Sequence, residues 1–171
     1  MPGTLIVLTG ASGAGKTTLA AGIQEMHLQN LKVPFFDSIG IPSAAELDAF
    51  GTGHQPGGAW QRQATMDWMD RIAAMLRAGE SVLFEGQMRI AFIQEAIAAS
   101  RIANARILLI DCVDDCRISR LTDRGQPHLD NPDMMNWSQY LRAESQEMGC
   151  EILDTGVLTL AECLERLRSY L

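Results

Sequence analysis

The chain has 171 residues, 47% of them hydrophobic and 20% charged, with a formal net charge of −7. That length suits one domain with a sizeable core, and the acidic balance argues against a nucleic-acid binder, whose footprint is normally basic. The apolar run near the start is short and follows no basic region, so neither a signal peptide nor a membrane span is expected and the protein reads as cytoplasmic.

Thr4–Thr9 predicts a buried strand, and Leu19, Ala20, Ile23, Met26 and His27 recur at helical spacing after it. Between them stands Gly10-Ala11-Ser12-Gly13-Ala14-Gly15-Lys16-Thr17, which fits G-x-x-x-x-G-K-[ST], a phosphate-binding P-loop. Backbone N–H groups of such a loop and the positive end of the following helix converge on phosphate oxygens. Gly10 through Thr17, together with Thr18, are therefore assigned to the phosphates of ATP. Lys16 is expected to reach the β- and γ-phosphates, and the Thr17 hydroxyl to ligate Mg²⁺.

Val33–Asp37 predicts a second strand ending in an acid. Residues 40–58 carry five glycines and two prolines, with a short helix expected over Ser43–Phe50. Trp60, Ala64, Trp68, Ile72 and Leu76 repeat every four residues and predict a helix over 59–76. The tryptophans read as core. Ser81–Glu85 is the third strand and Arg89–Ser100 a helix. Arg106–Asp111 is the fourth strand, followed by helices over 114–122 and 132–147. Glu151–Asp154 is the fifth strand, and Thr159–Leu171 a final amphipathic helix. Five short apolar strands alternating with helices imply a parallel sheet covered on both faces, a three-layer α/β (αβα) fold in one domain.

Two acids compete for the metal-side position, Glu85 and Asp111, because each ends a mostly apolar strand. Gly86, and Arg89 one turn on, favour Glu85 beside Thr17 as the Mg²⁺ ligand, with Asp111 starting the next helix. Asp37-Ser38-Ile39-Gly40 also spells the D-x-x-G of GTPases, but no N-K-x-D segment exists to read guanine. Asp37 is read either as the group that orients an acceptor hydroxyl and takes its proton or as an Asx-type turn. Arg117, Arg120 and Arg124 fall on one helical stripe, ending at Gly125-Gln126-Pro127, a break that could act as a hinge. They suit phosphate oxygens, or else form a solvated face paired with Asp114, Asp115 and Asp123. The histidines lack partners at ligand spacing. Cys112, Cys116, Cys150 and Cys163 form no C-x-x-C and are expected to be reduced, with Cys112 and Cys150 as small core residues.

The P-loop, the acid-Gly-x-x-Arg segment from Glu85 to Arg89 and the arginines after strand four resemble the nucleoside monophosphate kinase-like family, which includes shikimate and gluconate kinases. The resemblance implies a P-loop NTPase sheet of order 2-3-1-4-5, an acceptor-binding segment over about 38–60 and a lid over about 117–132. It assigns Arg89 to an acceptor's phosphate, Asp37 to an acceptor hydroxyl, and Arg120 and Arg124 to the transferring phosphoryl group. Glu85 stands where Asp is usual, and Gln87-Met88 replaces an aromatic-proline pair. The implied activity is ATP-dependent phosphoryl transfer to a small-molecule acceptor by a monomer or homodimer, with no nucleic-acid or membrane partner. The alternative is a nucleotide-binding regulatory ATPase with no such acceptor.

Overall fold

A computed structural model describes residues 3–40, 42–50 and 58–171. Five parallel strands form one sheet: β1 (Leu5–Thr9), β2 (Leu31–Lys32), β3 (Ser81–Glu85), β4 (Ala105–Asp111) and β5 (Glu151–Asp154). Their order is β2-β3-β1-β4-β5, as the family resemblance implies. The helices are α1 (Lys16–Glu25), α2 (Ala44–Ala49), α3 (Ala59–Arg77), α4 (Ile90–Ala99), α5 (Asp114–Asp123), α6 (Pro132–Glu147) and α7 (Leu160–Arg168).

The period-2 alternation of β1 divides the core. Leu5 and Val7 face a cluster with Trp68, Ile72, Phe84 and Ile93 from α3, β3 and α4. Ile6 and Leu8 face the opposite cluster, with Leu19 and Ile23 of α1 and Cys163 and Leu167 of α7. A third, smaller cluster joins Leu109 to Trp137 and Leu141 of α6. The central strand is thus apolar on both sides, as a covered parallel sheet requires.

The second strand departs from expectation. Pairing stops at Lys32, with one further bridge between Phe35 and Glu85, and Phe36–Ile39 closes into a 3₁₀ turn. Pro34 supplies the reason: its carbonyl accepts from Glu85 N–H, but it has no N–H to return to the ladder. Asp37 therefore sits on a turn rather than at a strand end. The helix predicted over 43–50 forms as α2, capped by a reciprocal Ser43–Glu46 box. Cys112 is buried, whereas Cys150 is only half-buried and precedes β5. The final helix stops at Arg168. Of the acceptor-binding segment expected over about 38–60, residues 41 and 51–57 lie outside the described residues.

Candidate nucleotide-binding site

The register sets Leu8 opposite Glu85, Thr9 opposite Leu109, and Asp111 opposite Asp154, so these side chains collect at the carboxyl edge of the sheet. Ligands of open parallel sheets bind beyond that edge. The loop from Gly10 to Gly15 leaves β1 there and opens α1. Gly13 takes φ 80°, and a Cβ at this position would stand 2.9 Å from Cγ of Arg117. A side chain is excluded twice, by conformation and by space. No side chain caps α1 and no acid occupies its first turn, so the positive end of its dipole meets the cavity without a counter-charge from the helix itself.

A cavity of about 490 Å³ lies over the loop, within the usual range for small-molecule sites. Ser12, Gly13, Gly15, Lys16, Thr17 and Thr18 line it from the loop and α1, Asp37, Glu85 and Gln87 from the turn after β2 and the end of β3, and Arg120, Asp123 and Arg124 from α5 and the residue after it. Leu129, Leu158, Leu160 and Cys163 add apolar lining, and Thr155 a hydroxyl. Lys16, Thr17, Asp37, Glu85, Arg120 and Arg124 are thus brought together, although they come from four separate segments.

Lys16 is only 6% exposed, and its Nζ donates to Ala11 O at 3.1 Å. Burial lowers its pKa to about 8, with Arg117 and Arg124 adding to the effect and Glu85 and Asp37 opposing it. Burial raises the Glu85 carboxyl above its ordinary value, Asp37 adds to this, and Lys16 and the Thr17 side chain act against it. A buried lysine and a buried acid, each pushed toward its neutral form beside the other, mark a site built to receive further charge.

Glu85 and Asp111 separate cleanly. The Asp111 carboxylate accepts from Arg117 Nη2 at 2.8 Å and Arg142 Nε at 2.6 Å, while Glu85 faces the cavity. Arg117 is fully buried. It also donates to Ser12 O and Ser138 Oγ, each at 2.8 Å. It is therefore a strut joining β4, the loop and α6, rather than part of a solvated stripe. Its partner is Asp111, not Asp114, Asp115 or Asp123.

Arg120 is likewise engaged. It donates to Gly13 O, Ala14 O, Thr155 Oγ1 and Thr155 O at 2.8–3.3 Å. Arg124 is exposed at the end of α5, and its side chain makes no intramolecular hydrogen bond or ion pair among the described residues. The helix ends there in a Schellman motif: Gly125 has φ 70°, Gly125 N–H reaches Thr122 O and Gln126 N–H reaches Leu121 O.

Arg89 does not join the cavity lining. Its guanidinium stacks 4.9 Å from the Phe92 ring centroid and 5.1 Å from that of Tyr140, with Nε 3.7 Å from Glu144. Glu144 also accepts from the Ile90 and Ala91 N–H groups, filling the cap that α4 lacks. Gly86 has a role at this edge that its neighbours explain. A Cβ there would overlap Cβ of Phe36, so glycine lets the turn bearing Asp37 close against Glu85. Phe36 is held in turn by Trp60, Phe84 and a 3.2 Å bond from Trp68 Nε1 to its carbonyl.

Gln87 was not singled out from sequence. It donates to Ser12 Oγ at 2.7 Å and accepts from Trp137 Nε1 at 3.1 Å. Thr155, Leu158 and Cys163 were missed as well, because a short loop and a helix face after β5 carry no motif. Only their place at the carboxyl edge signals them.

No curated protein matches the sequence. Among solved structures, a sugar kinase from Janibacter sp. HTCC2649 superposes with a TM-score of 0.65 at 20% identity, covering 99% of this chain and 94% of that one. A gluconokinase from Sinorhizobium meliloti 1021 gives 0.62 at 17% identity, covering 99% and 91%. The shikimate kinase of Acinetobacter baumannii in complex with shikimate gives 0.61 at 15%, covering 98% and 92%. At such identities the likeness is one of fold, a P-loop kinase-like αβα sandwich. A model of the AAA domain family matches residues 6–141, and the chain therefore belongs to that family of P-loop domains.

Proposed function

We propose that this protein transfers the γ-phosphoryl group of ATP to a hydroxyl of a small-molecule acceptor. The observation that carries this reading is the convergence of Lys16, Thr17, Asp37 and Glu85 on one cavity above a glycine-rich loop. A P-loop alone would serve binding. A second carboxylate on a separate turn, facing the phosphate end, suits an acceptor. The kinase fold of the structural neighbours agrees with this reading.

The loop N–H groups and Lys16 hold the β- and γ-phosphates, and the apolar end at Leu158 and Leu160 receives the base. Asp37 hydrogen-bonds the acceptor hydroxyl and takes its proton as the new O–P bond forms and the bond to the β-phosphate oxygen breaks, releasing ADP. The Thr17 hydroxyl and the Glu85 carboxylate are adjacent hard oxygen donors at the loop's mouth, a set that fits Mg²⁺. When bound, that ion neutralises phosphate charge. Arg120, already seated beside the loop, and Arg124, at the end of α5, stabilise charge on the transferring group.

Mutants separate these roles. Asp37→Asn should lower acceptor-stimulated ATP turnover by about a hundredfold or more, the low end of general-base effects, while ATP affinity by calorimetry stays within about threefold. Glu85→Gln should instead shift the Mg²⁺ titration of turnover to higher concentration. Identical magnesium titrations for the two variants would overturn the assignment.

A further inference from the structure

We infer that the acceptor carries no anionic group and is a polyhydroxy or amino-bearing alcohol; this rests on the kinase reading above. Charge at the acceptor side of the site points to it. From Val33 to Gln61 the sequence holds no lysine or arginine but three acids, Asp37, Glu46 and Asp48. Within the cavity, Lys16, Arg120 and Arg124 come from the start of α1 and from α5 with its C-cap, while the turn after β2 and the end of β3 present Asp37, Glu85 and the neutral Gln87.

A second cleft, about 240 Å³, borders the same turn through Ile39 and Gly40. Trp60 and Phe50 supply aromatic faces there, and Glu46 and Asp67 supply carboxylates. Aromatic faces with carboxylates receive sugar-like rings or ammonium groups and repel anions.

Arg62 follows Gln61, whose Oε1 accepts from Arg89 N–H, and both arginines already face carboxylates. Arg62 is ion-paired with Glu95. Arg89 is stacked between Phe92 and Tyr140 beside the buried Glu144 carboxylate, where it ties α4 to α6. The Glu144 carboxylate lies 3.7 Å from its Nε, which has no hydrogen-bond partner among the described residues. A carboxylate or phosphate on the acceptor would therefore meet Glu46 and Asp67 in that cleft, whose lining holds no lysine or arginine among the described residues.

The test is Mg·ATP turnover by the full chain with matched probes. Glycerol, glucose, glucosamine and ethanolamine form one set; glycerate, gluconate, glucose 6-phosphate and AMP form the other. A rise of tenfold or more with a member of the first set, and with none of the second, is the expected result. Stimulation by an anionic probe would overturn the inference and leave the kinase reading standing. No stimulation by any probe, with ATP binding intact and dependent on Lys16, would count against the acceptor itself and remove both. With the stimulating probe in hand, Arg89→Gln should lower Tm yet leave that probe's KM within twofold, and Arg89→Lys provides the same reading if the glutamine variant fails to fold. A tenfold rise in KM in either variant would make Arg89 an acceptor ligand and sink the inference.

Discussion

At the scale of single residues, Lys16 is the most informative. It is read from sequence as the phosphate-binding lysine, and the structure adds that it is buried with a pKa lowered to about 8. Near pH 8 the free protein thus holds about half a proton on Lys16. Bound phosphates favour the charged form and raise that pKa, so ATP binding takes up protons. Calorimetry in buffers of different ionisation enthalpy should report an uptake of about half a proton at pH 8 that shrinks toward zero by pH 6. Lys16→Ala should abolish this uptake and ATP turnover while leaving Tm unchanged or higher, because removing a desolvated lysine takes no favourable packing away. Uptake that survives the substitution would place the titrating group elsewhere.

At the scale of elements, the sequence carried the sheet and long helices well. Strands with strong apolar runs and helices with clear periodicity, such as α3 and α6, stand where their pattern puts them. The second strand failed because Pro34 truncates an edge ladder, an effect of one missing N–H that apolar content masks. The helix after β4 shows the other kind of miss. Its arginine stripe was legible, but the division of labour within it depends on Asp111 and Ser138, which come from other elements. Arg117 faces inward as a strut, whereas Arg124 faces the solvent end of the cavity. Arg117→Met should therefore cost about 3–5 kcal/mol of stability, the scale for breaking a buried ion pair, measured by chemical denaturation. Arg124→Ala should change stability by less than about 0.5 kcal/mol, as exposed substitutions do, yet cut kcat by about a hundredfold. A normal kcat for Arg124→Ala would remove that arginine from the reaction.

For the whole molecule, the carboxyl edge of the sheet is the organising feature. It gathers a loop from β1, a turn after β2, the end of β3, a helix after β4 and a loop after β5 around one cavity. The phosphate half of that site was legible because one local motif encodes it. The proposed acceptor half was only partly so, since Asp37, Gly86 and Gln87 meet through packing of distant aromatic residues. This arrangement separates a transferase from a nucleotide switch by the fate of one group of atoms. Phosphorus NMR of Mg·ATP incubated with the protein and a mixture of neutral and amino-bearing alcohols follows that fate directly. The account predicts a new phosphoester resonance growing in step with ADP and absent with Asp37→Asn. ADP accompanied by inorganic phosphate alone would contradict it.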